Sequence, residues 1–171
     1  MSRSPNARPV GLASPRRCPR KVGLAAIAVG SNLGSREGII ASAVESLGTL
    51  GSVKSVSALT QTDPVGYLDQ PPFLNGAIVL ETELDPLALL RELLQIELDH
   101  GRDRTHGISK GPRTLDLDLL LYDDLVLTTE ELTLPHPEMH VRRFVLEPLA
   151  EIAPGHQAAC HFAKPFPIPV A

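Results

Sequence analysis

Two aspartates at alternate positions, Asp116 and Asp118, are the residues whose types and spacing point most directly to chemistry. From Thr114 to Leu119, polar residues alternate with leucine, which predicts a β-strand with both carboxylates on one face. Two carboxylates that close repel each other unless a cation lies between them. Oxygen ligands favour a hard ion, Mg²⁺ above all, which usually arrives with substrate phosphates. The alternative is an ordinary edge strand with a solvated polar face.

Positive charge is concentrated on both sides of this strand. The segment 22–151 contains 9 basic and 20 acidic residues, a net charge of −11. Six of those nine basic residues fall in 102–113 and 142–143. Clustered cations on an acidic protein indicate a local anion site and argue against a nucleic-acid-binding face, although chance clustering is the alternative. Arg113, directly before the strand, can bind phosphate in a bidentate way.

A flat-ligand site is indicated by Phe73 and Asn75, which share one face of a strand predicted over 73–81. They place a stacking surface beside an amide that can donate and accept hydrogen bonds. This suits a flat heteroaromatic ligand. The alternative is a core phenylalanine beside an asparagine that bonds to nearby backbone. The preceding loop, 61–72, is long enough to be functional.

Other patterns predict the elements that must position these groups. Apolar runs predict strands over 22–29, 53–60 and 125–127. Helices are predicted from Ser35 to about residue 50, from Asp85 to Gly101 and over 145–152, with Ser35 and Asp85 as N-caps. The glycine-rich turn 30–35 could hold a phosphate or be a plain strand–helix turn. The basic loop 102–111 would suit a lid that closes over phosphates.

His136 and His140 have the spacing of a zinc pair, but two prolines and the lack of a further soft ligand favour phosphate or base contact for His136. The 171-residue chain predicts one globular domain, and no apolar run reaches the length of a membrane span. Cys18 and Cys160 form neither a metal-binding pattern nor a disulfide framework. No signal peptide is visible, so we expect a cytoplasmic protein.

The two ends of the chain differ from its middle. Residues 1–21 hold six basic residues and no acidic one, which predicts a disordered leader; a transit peptide or a mis-assigned start codon are alternatives. We expect the domain to cover 22–154 and an extended, proline-rich tail to cover 155–171.

Six motifs follow one another in the expected order of a known family. They are Gly30 to Gly34, Thr62 to Gly66, Gln70 to Asn75, Ile96 to Arg104, Gly111 to Asp118 and Pro135 to Phe144. Together they cover about 22–154 and resemble the 6-hydroxymethyl-7,8-dihydropterin pyrophosphokinase family of the folate pathway. Many members carry a tryptophan just before Gly-Pro-Arg, where this chain has Lys110.

The resemblance implies an α+β fold with a ferredoxin-like core, in which helices pack on an antiparallel sheet. It implies Mg²⁺-dependent transfer of pyrophosphate from ATP to 6-hydroxymethyl-7,8-dihydropterin, with AMP leaving. Two Mg²⁺ ions and ATP as co-substrate are expected. The expected partners are these small molecules, with no nucleic acid and no membrane, and the chain is expected to be a monomer.

The resemblance also implies a role for individual residues. Asp116 and Asp118 would bind the Mg²⁺ ions, and Arg102 and Arg113 would be the catalytic residues that stabilise the moving phosphates. The pterin would be held by Thr62, Val65, Phe73, Asn75 and Phe144, with the two phenylalanines stacked on its two faces. The ATP side would comprise Glu97, Arg104, Leu119, Thr133, His136 and Arg142.

Two other classes of protein would explain part of the pattern. A nucleotidyltransferase combines a Gly-Ser turn with a D-x-D pair close behind it, whereas Ser31 and Asp116 are 85 residues apart. A ferredoxin-like regulatory domain that binds a small molecule would explain the fold and the pocket but not the paired aspartates.

Overall fold

Two helices separate three groups of strands along the chain, and a 3₁₀ turn and a last helix follow. The structure, a computed structural model, describes residues 22–102 and 111–152. Its strands are β1 (Gly23–Ser31), β2 (Gly51–Val56), β3 (Thr60–Thr62), β4 (Phe73–Thr82), β5 (Asp116–Tyr122), β6 (Leu127–Thr128) and β7 (Thr133–Leu134). Its helices are α1 (Arg36–Leu47), α2 (Pro86–Asp99), a single 3₁₀ turn (Met139–Val141) and α3 (Arg143–Ile152).

An antiparallel sheet forms the centre of the fold. The strand order is β2-β4-β1-β5, and β3 pairs with the start of β4. Apart from β3, the connection is βαββαβ, and the first and third strands of that set are central, which is the ferredoxin-like arrangement. The predicted fold class, α+β with helices packed on an antiparallel sheet, is confirmed.

Both faces of the sheet carry a cluster of apolar residues, and each cluster is covered by helix. Ala25, Ile27 and Val29, alternate residues of β1, pack in one core with buried residues of α1 and α2. Ala26 points to the opposite face and packs in a second core with Val145 of α3. The sheet is therefore a middle layer between α1 and α2 on one side and α3 on the other.

The predicted leucine face of β5 lies in the larger core. Leu115, Leu117 and Leu119 are 0%, 2% and 2% exposed and pack on the side of α1 and α2. Regular pairing of β5 with β1 begins at Asp116. Because side chains alternate along a strand, Asp116 and Asp118 project toward the side that carries α3.

The helix boundaries agree with their predicted start and stop signals in α2 more closely than in α1. The Asp85 carboxylate accepts hydrogen bonds of 3.1 and 2.9 Å from the amides two and three residues further on. Gly101 follows the helix with a φ of 80°, a conformation that glycine adopts at low cost. Helix α1 ends at Leu47, three residues earlier than predicted, and Ser35 occupies its N-cap without a side-chain hydrogen bond.

One predicted strand, 53–60, is two strands in the structure. After β2, Ser57 exchanges bonds with Ala77 of β4: its amide donates to the Ala77 carbonyl, and its hydroxyl oxygen accepts from the Ala77 amide, both at 2.9 Å. A side-chain oxygen thus replaces the backbone carbonyl that a regular ladder would use. The strand ends there and pairing resumes at β3.

The strand predicted over 125–127 begins only at Leu127. Asp123 adopts a left-handed conformation with a φ of 45°, and the turn leaves Val126 72% exposed. Pairing is limited to Leu127 and Thr128 because β7 offers only two residues as partners.

Several sequence predictions fall on residues outside the described parts of the chain. They concern the leader 1–21, the tail 155–171, both cysteines, Arg104 and Lys110. Within 22–102 and 111–152, the structure has no helix that is long and apolar enough to cross a membrane.

Candidate active site

Three neighbouring strands form the floor of the site. Gly30 of β1 is paired with Asn75 of β4 on one side and with Asp116 of β5 on the other. Residues paired across an antiparallel sheet share a face, so the amide and the carboxylate lie on either side of a residue without a side chain. A Cβ at Gly30 would lie 2.7 Å from Asn75 Oδ1 and 3.9 Å from Asp116 Cβ. Glycine is therefore needed here to leave the floor open.

The two aspartates are paired with arginines. Asp116, whose side chain is 19% exposed, lies 2.5 Å from Arg102 Nη1 and 2.9 Å from Arg113 Nη1. Asp118 Oδ2 lies 3.8 Å from Arg142 Nη1. The repulsion expected between the aspartates is thus offset by guanidinium groups, which come from both predicted clusters of positive charge.

Burial and neighbouring charges shift the pKa values of Asp118 and His136. Burial and the neighbouring Asp116 raise the pKa of Asp118 above its usual 3.8, against the opposing charges of His136, Arg142 and Arg113. Burial lowers the pKa of His136 below its usual 6.5, and Arg142 acts in the same direction, whereas the two aspartates oppose the shift. His136 therefore belongs electrostatically to the aspartate site, and its neutral form is favoured.

Glu97 supports the aspartate strand from behind. Its carboxylate is fully buried, accepts a hydrogen bond of 2.8 Å from the Leu117 amide and forms an ion pair with Arg102. The family resemblance implies that Glu97 lies on the ATP side, and the contacts named here are made with protein groups. Through them Glu97 fixes both the strand between the aspartates and one arginine of Asp116.

A cavity of about 450 Å³ opens beside the aspartates, and all five residues predicted to hold the pterin line it. Its lining residues are Thr62, Asp63, Val65, Phe73, Asn75, Arg113, Glu138, Val141, Arg142, Arg143 and Phe144. Four of these residues were not predicted from the sequence to bind a ligand: Asp63, Glu138, Val141 and Arg143. Val65 and Val141 are 64% and 70% exposed, so apolar surface is available to a ligand.

The polar and aromatic groups of the cavity are already oriented. Asn75 Nδ2 donates a hydrogen bond of 2.6 Å to Thr62 Oγ1, which fixes the amide plane. The Arg113 guanidinium lies 5.3 Å from the centre of the Phe73 ring. The Arg142 guanidinium lies 5.8 Å from the centre of the Phe144 ring. Both are cation–π contacts. The arginines thus connect the aromatic cavity to the carboxylates.

The other residues predicted on the ATP side lie on and beside β5. Leu119 is 2% exposed and its side chain packs in the core, so a contact with nucleotide would have to use its backbone. Thr133 pairs with Thr128 in the small hairpin. The His136 amide donates to the Leu120 carbonyl at 2.9 Å, which holds this segment against β5.

Within the described residues, the side chains that commonly bind metals form no larger cluster. The described residues contain no group of three or more histidine, cysteine, aspartate or glutamate side chains that could hold a metal ion. His136 and His140 therefore have no third protein ligand of this kind within 22–102 and 111–152. An ion at Asp116 and Asp118 would need oxygen atoms from a substrate or from water.

The nucleotidyltransferase alternative is tested by the environment of Ser31. Although Ser31 and Asp116 are 85 residues apart in sequence, the pairing of Gly30 with Asp116 brings the Gly-Ser turn next to the aspartates. Ser31 itself is fully buried, and its hydroxyl is 3.5 Å from the Leu33 carbonyl. The turn does not present this hydroxyl to the site.

Comparison with known proteins gives one consistent result. A sequence model of the family described as 7,8-dihydro-6-hydroxymethylpterin-pyrophosphokinase (HPPK) matches residues 26–154. A Bacillus subtilis protein named 2-amino-4-hydroxy-6-hydroxymethyldihydropteridine pyrophosphokinase is 48% identical over 131 residues, which are 75% of this chain and 77% of that protein. A Haemophilus influenzae protein of the same name is 41% identical over 147 residues, 82% of this chain and 91% of that protein.

Solved structures support the fold. The crystal structure of a Plasmodium falciparum HPPK-DHPS variant with pterin and p-hydroxybenzoate superposes with a TM-score of 0.61 at 16% identity. The match covers 82% of this chain but only 42% of that longer protein. At this identity the likeness concerns the fold alone. On the sequence matches, the chain belongs to the 7,8-dihydro-6-hydroxymethylpterin-pyrophosphokinase family and is a diphosphotransferase enzyme.

Proposed function

We propose that this protein transfers the β,γ-pyrophosphoryl group of ATP to the hydroxymethyl group of 6-hydroxymethyl-7,8-dihydropterin in folate biosynthesis, with Mg²⁺ required. The observation that carries the proposal is the position of Arg113. Its guanidinium lies over the Phe73 ring of the aromatic cavity and 2.9 Å from Asp116. One side chain thus joins a site for a flat ring to a site for a metal-bound phosphate.

The ring side of the cavity suits a pterin. Phe73 and Phe144 offer aromatic surfaces in the same cavity, and Asn75 and Thr62 offer a fixed pair of hydrogen-bonding groups. A pterin is flat and carries donors and acceptors along its edge, so it can use both kinds of contact. Val65 would cover part of the exposed ring edge.

The aspartates fit Mg²⁺. Asp116 and Asp118 supply oxygen ligands on one face of β5, and Mg²⁺ is bound in proteins by one or two carboxylates plus substrate phosphates. When bound, Mg²⁺ neutralises phosphate charge and aligns the triphosphate. Two ions are proposed, as the family resemblance implies.

The arginines would stabilise the negative charge that develops during pyrophosphoryl transfer. The hydroxymethyl oxygen forms a bond to the β-phosphorus, the bond from that phosphorus to the α,β-bridging oxygen breaks, and AMP leaves with the electron pair. The hydroxyl proton passes to solvent. Arg102 and Arg113, both at Asp116, would stabilise the transferred group. This chemistry needs alignment and charge neutralisation rather than a covalent intermediate.

The nucleotide would lie along β5 on the other side of the aspartates from the ring cavity. We place His136 at its phosphates or base, because its charge acts on Asp118. Arg142 lines the ring cavity and also lies 3.8 Å from Asp118, so we place it at the phosphates, on the boundary between the two sides. Thr133, the backbone of Leu119 and Arg104 would complete this side, and Glu97 would support it through Arg102.

The direct test is product analysis. ATP, MgCl₂ and 6-hydroxymethyl-7,8-dihydropterin are incubated with the protein, and nucleotides are separated by chromatography. We expect AMP to form only when the pterin is present, in equal amount to pterin diphosphate, and EDTA to stop the reaction. Formation of ADP or release of pyrophosphate would contradict the proposal.

Alanine variants of the aspartates test the metal assignment. We expect Asp116→Ala and Asp118→Ala to lower Mg²⁺-dependent turnover by about 100-fold or more while pterin affinity, measured by fluorescence titration, changes little. Asp99→Ala at the exposed end of α2 is the matched control and should leave turnover unchanged. Full turnover in either site variant would remove that aspartate from the metal site.

A further inference from the structure

The glycine-rich turn after β1 contains a buried amide, Asn32, that is 2% exposed. Its Nδ2 donates hydrogen bonds of 2.9 Å to Gln70 Oε1 and 3.0 Å to the Pro71 carbonyl. Its Oδ1 accepts a bond of 2.8 Å from the Arg113 amide, and its own amide donates to the Arg113 carbonyl at 3.2 Å. These contacts use the hydrogen-bonding groups of Asn32 on protein rather than on a phosphate.

The partners of Asn32 belong to the two halves of the site. Gln70 and Pro71 belong to the loop 63–72, which leads into Phe73 and is called the ring loop below. Arg113 stands over Phe73 and contacts Asp116. Asn32 therefore links the loop on the ring side to the backbone of the arginine on the phosphate side, although these partners lie 38, 39 and 81 residues away in sequence.

Neighbouring contacts strengthen the same link. Gln70 Nε2 donates to the Tyr67 carbonyl at 2.6 Å, so the bond from Asn32 reaches further into the ring loop. Arg36, at the start of α1, donates to the Pro72 carbonyl at 2.9 Å. The turn and the first residue of α1 thus hold three consecutive residues, 70–72, of the loop that leads into Phe73.

Burial makes these bonds specific. A buried polar group that loses its partner is left unsatisfied, so a small displacement of either segment is opposed. The side-chain amide supplies two N–H donors and one carbonyl acceptor, a combination that only asparagine and glutamine side chains provide. The longer glutamine would not fit the same short span without moving the turn.

We propose that Asn32 is a positioning residue that sets the place of the Arg113 guanidinium relative to the ring loop. It touches neither substrate and acts through the Arg113 backbone on one side and through Gln70 and Pro71 on the other. The inference rests on the proposed function, because it assigns the ring loop to the pterin and Arg113 to the transferred phosphates.

Steady-state kinetics of Asn32→Ala and Gln70→Ala test the link. Asn32→Ala removes the bonds to the ring loop and the side-chain bond to the Arg113 amide. We expect kcat to fall by about 100-fold, because a small displacement of the Arg113 guanidinium from the transferred phosphates is costly. We also expect KM for the pterin to rise. KM for MgATP should stay within about twofold, because the proposal gives Arg113 a role in the transition state rather than in ground-state binding of ATP. Gln70→Ala breaks only the loop side, so KM for the pterin should rise about five- to tenfold with kcat nearly unchanged.

Thr82→Val is the matched control for loss of a buried hydrogen-bonded group. Thr82 is 2% exposed, its hydroxyl donates to the Leu50 carbonyl at 2.6 Å, and it lies at the far end of β4 from the site. It should lower the melting temperature without changing kcat or either KM. Asn32→Ala kinetics that match those of Thr82→Val would overturn the inference.

A second variant and a hydrogen-exchange measurement test the same link. If Asn32→Ala does not fold, Asn32→Asp replaces it: this variant keeps the acceptor for the Arg113 amide and loses the donors to Gln70 and Pro71. An unchanged KM for the pterin in Asn32→Asp would then count against the link. Hydrogen exchange gives a readout that needs no activity: segments 68–72 and 111–115 should both exchange faster in the Asn32 variant than in Thr82→Val. A wild-type protein that makes no AMP would contradict the proposed function, whereas equal exchange would contradict this inference.

Discussion

At the scale of single residues, Arg113 is the group on which both halves of the site meet. Its head group stands over Phe73 and beside Asp116, and its backbone is held by Asn32. Planar guanidinium groups stack on rings and bind oxygen pairs at the same time, which ammonium groups cannot do. We therefore expect its contribution to appear in the chemical step.

For Arg113→Ala we expect kcat to fall by about 100- to 1000-fold, because a preorganised charge is lost where negative charge develops. KM for ATP should change by less than about threefold. Arg113→Lys keeps the positive charge but loses both the stacking on Phe73 and the ability to bind two phosphate oxygens at once. Its kcat should therefore lie between those of the wild type and the alanine variant. A raised KM for ATP with an unchanged kcat would instead make Arg113 a residue that binds ATP in the ground state.

The chemistry-bearing residues could be predicted from the sequence wherever local alternation decides the face. Asp116 and Asp118 share a face of β5, and Phe73 shares a face with Asn75 in β4, because side chains alternate along strands. Asn32 could not be found in this way. Its partners are distant in sequence, and no local pattern reports which loop a buried amide will meet.

At the scale of elements, the sequence predicted the central strands and helices but not the ends of the peripheral ones. β4 and α2 carry strong patterns of their own, and α2 has a proline and a capping aspartate at its start. The break between β2 and β3 depends on Ser57 meeting Ala77 across the sheet. Such a boundary is set by the partner strand, which a single segment does not reveal.

The far end of β5 is fixed by Tyr122. Its hydroxyl donates a hydrogen bond of 2.6 Å to the Leu84 carbonyl, between β4 and α2, and its ring packs in the larger core. Burial, followed by the charges of Asp123 and Asp85, raises the pKa of Tyr122 above its usual 10.0. The folded state therefore resists ionisation of this phenol.

Tyr122→Phe should lower the free energy of unfolding at pH 7 by about 1 kcal/mol, through loss of one hydrogen bond. Because the folded pKa is raised, the contribution of Tyr122 is full below pH 10 and is lost as pH rises through the folded pKa. Urea denaturation between pH 7 and 11 should therefore show a steeper alkaline loss for the wild type than for Tyr122→Phe. Parallel curves would show that Tyr122 does not ionise differently on unfolding.

At the scale of the whole molecule, three arginines of an acidic protein lie beside the two neighbouring aspartates of the site. The segment 22–151 has a net charge of −11, yet Arg102, Arg113 and Arg142 all contact Asp116 or Asp118. The folded protein thus keeps a costly pair of carboxylates that its own cations only partly offset. A site of this kind is expected to be stabilised by the ligand for which it is built.

Asp118→Asn should raise the melting temperature of the ligand-free protein at pH 7. The folded pKa of Asp118 is raised, so its contribution is full below pH 3.8 and is lost as pH rises through the folded pKa. The advantage of the variant should accordingly fade toward pH 4. MgATP at 100 times the Kd of the wild type should raise the free energy of unfolding of the wild type by about 2.7 kcal/mol. The same concentration should raise that of the variant by less.

Glu92→Gln is the matched control for the change in net charge, because Glu92 is exposed on α2 and away from the site. Its melting temperature should not show the same dependence on pH or MgATP. A destabilised Asp118→Asn protein at pH 7, or an equal response of the variant and the wild type to MgATP, would contradict the prediction.

The exposed valines at the cavity have a consequence for inhibitor chemistry. Val65 and Val141 come from separate segments and are 64% and 70% exposed beside a cavity whose interior offers aromatic and polar groups. A flat inhibitor confined to the interior of this cavity would leave much of this aliphatic surface in water. A methyl or phenyl substituent directed at the valines would bury it, at about 25 cal/mol per Å² of apolar area. Affinity could thus be gained at these two positions without changing the contacts of the inhibitor with the polar groups of the cavity.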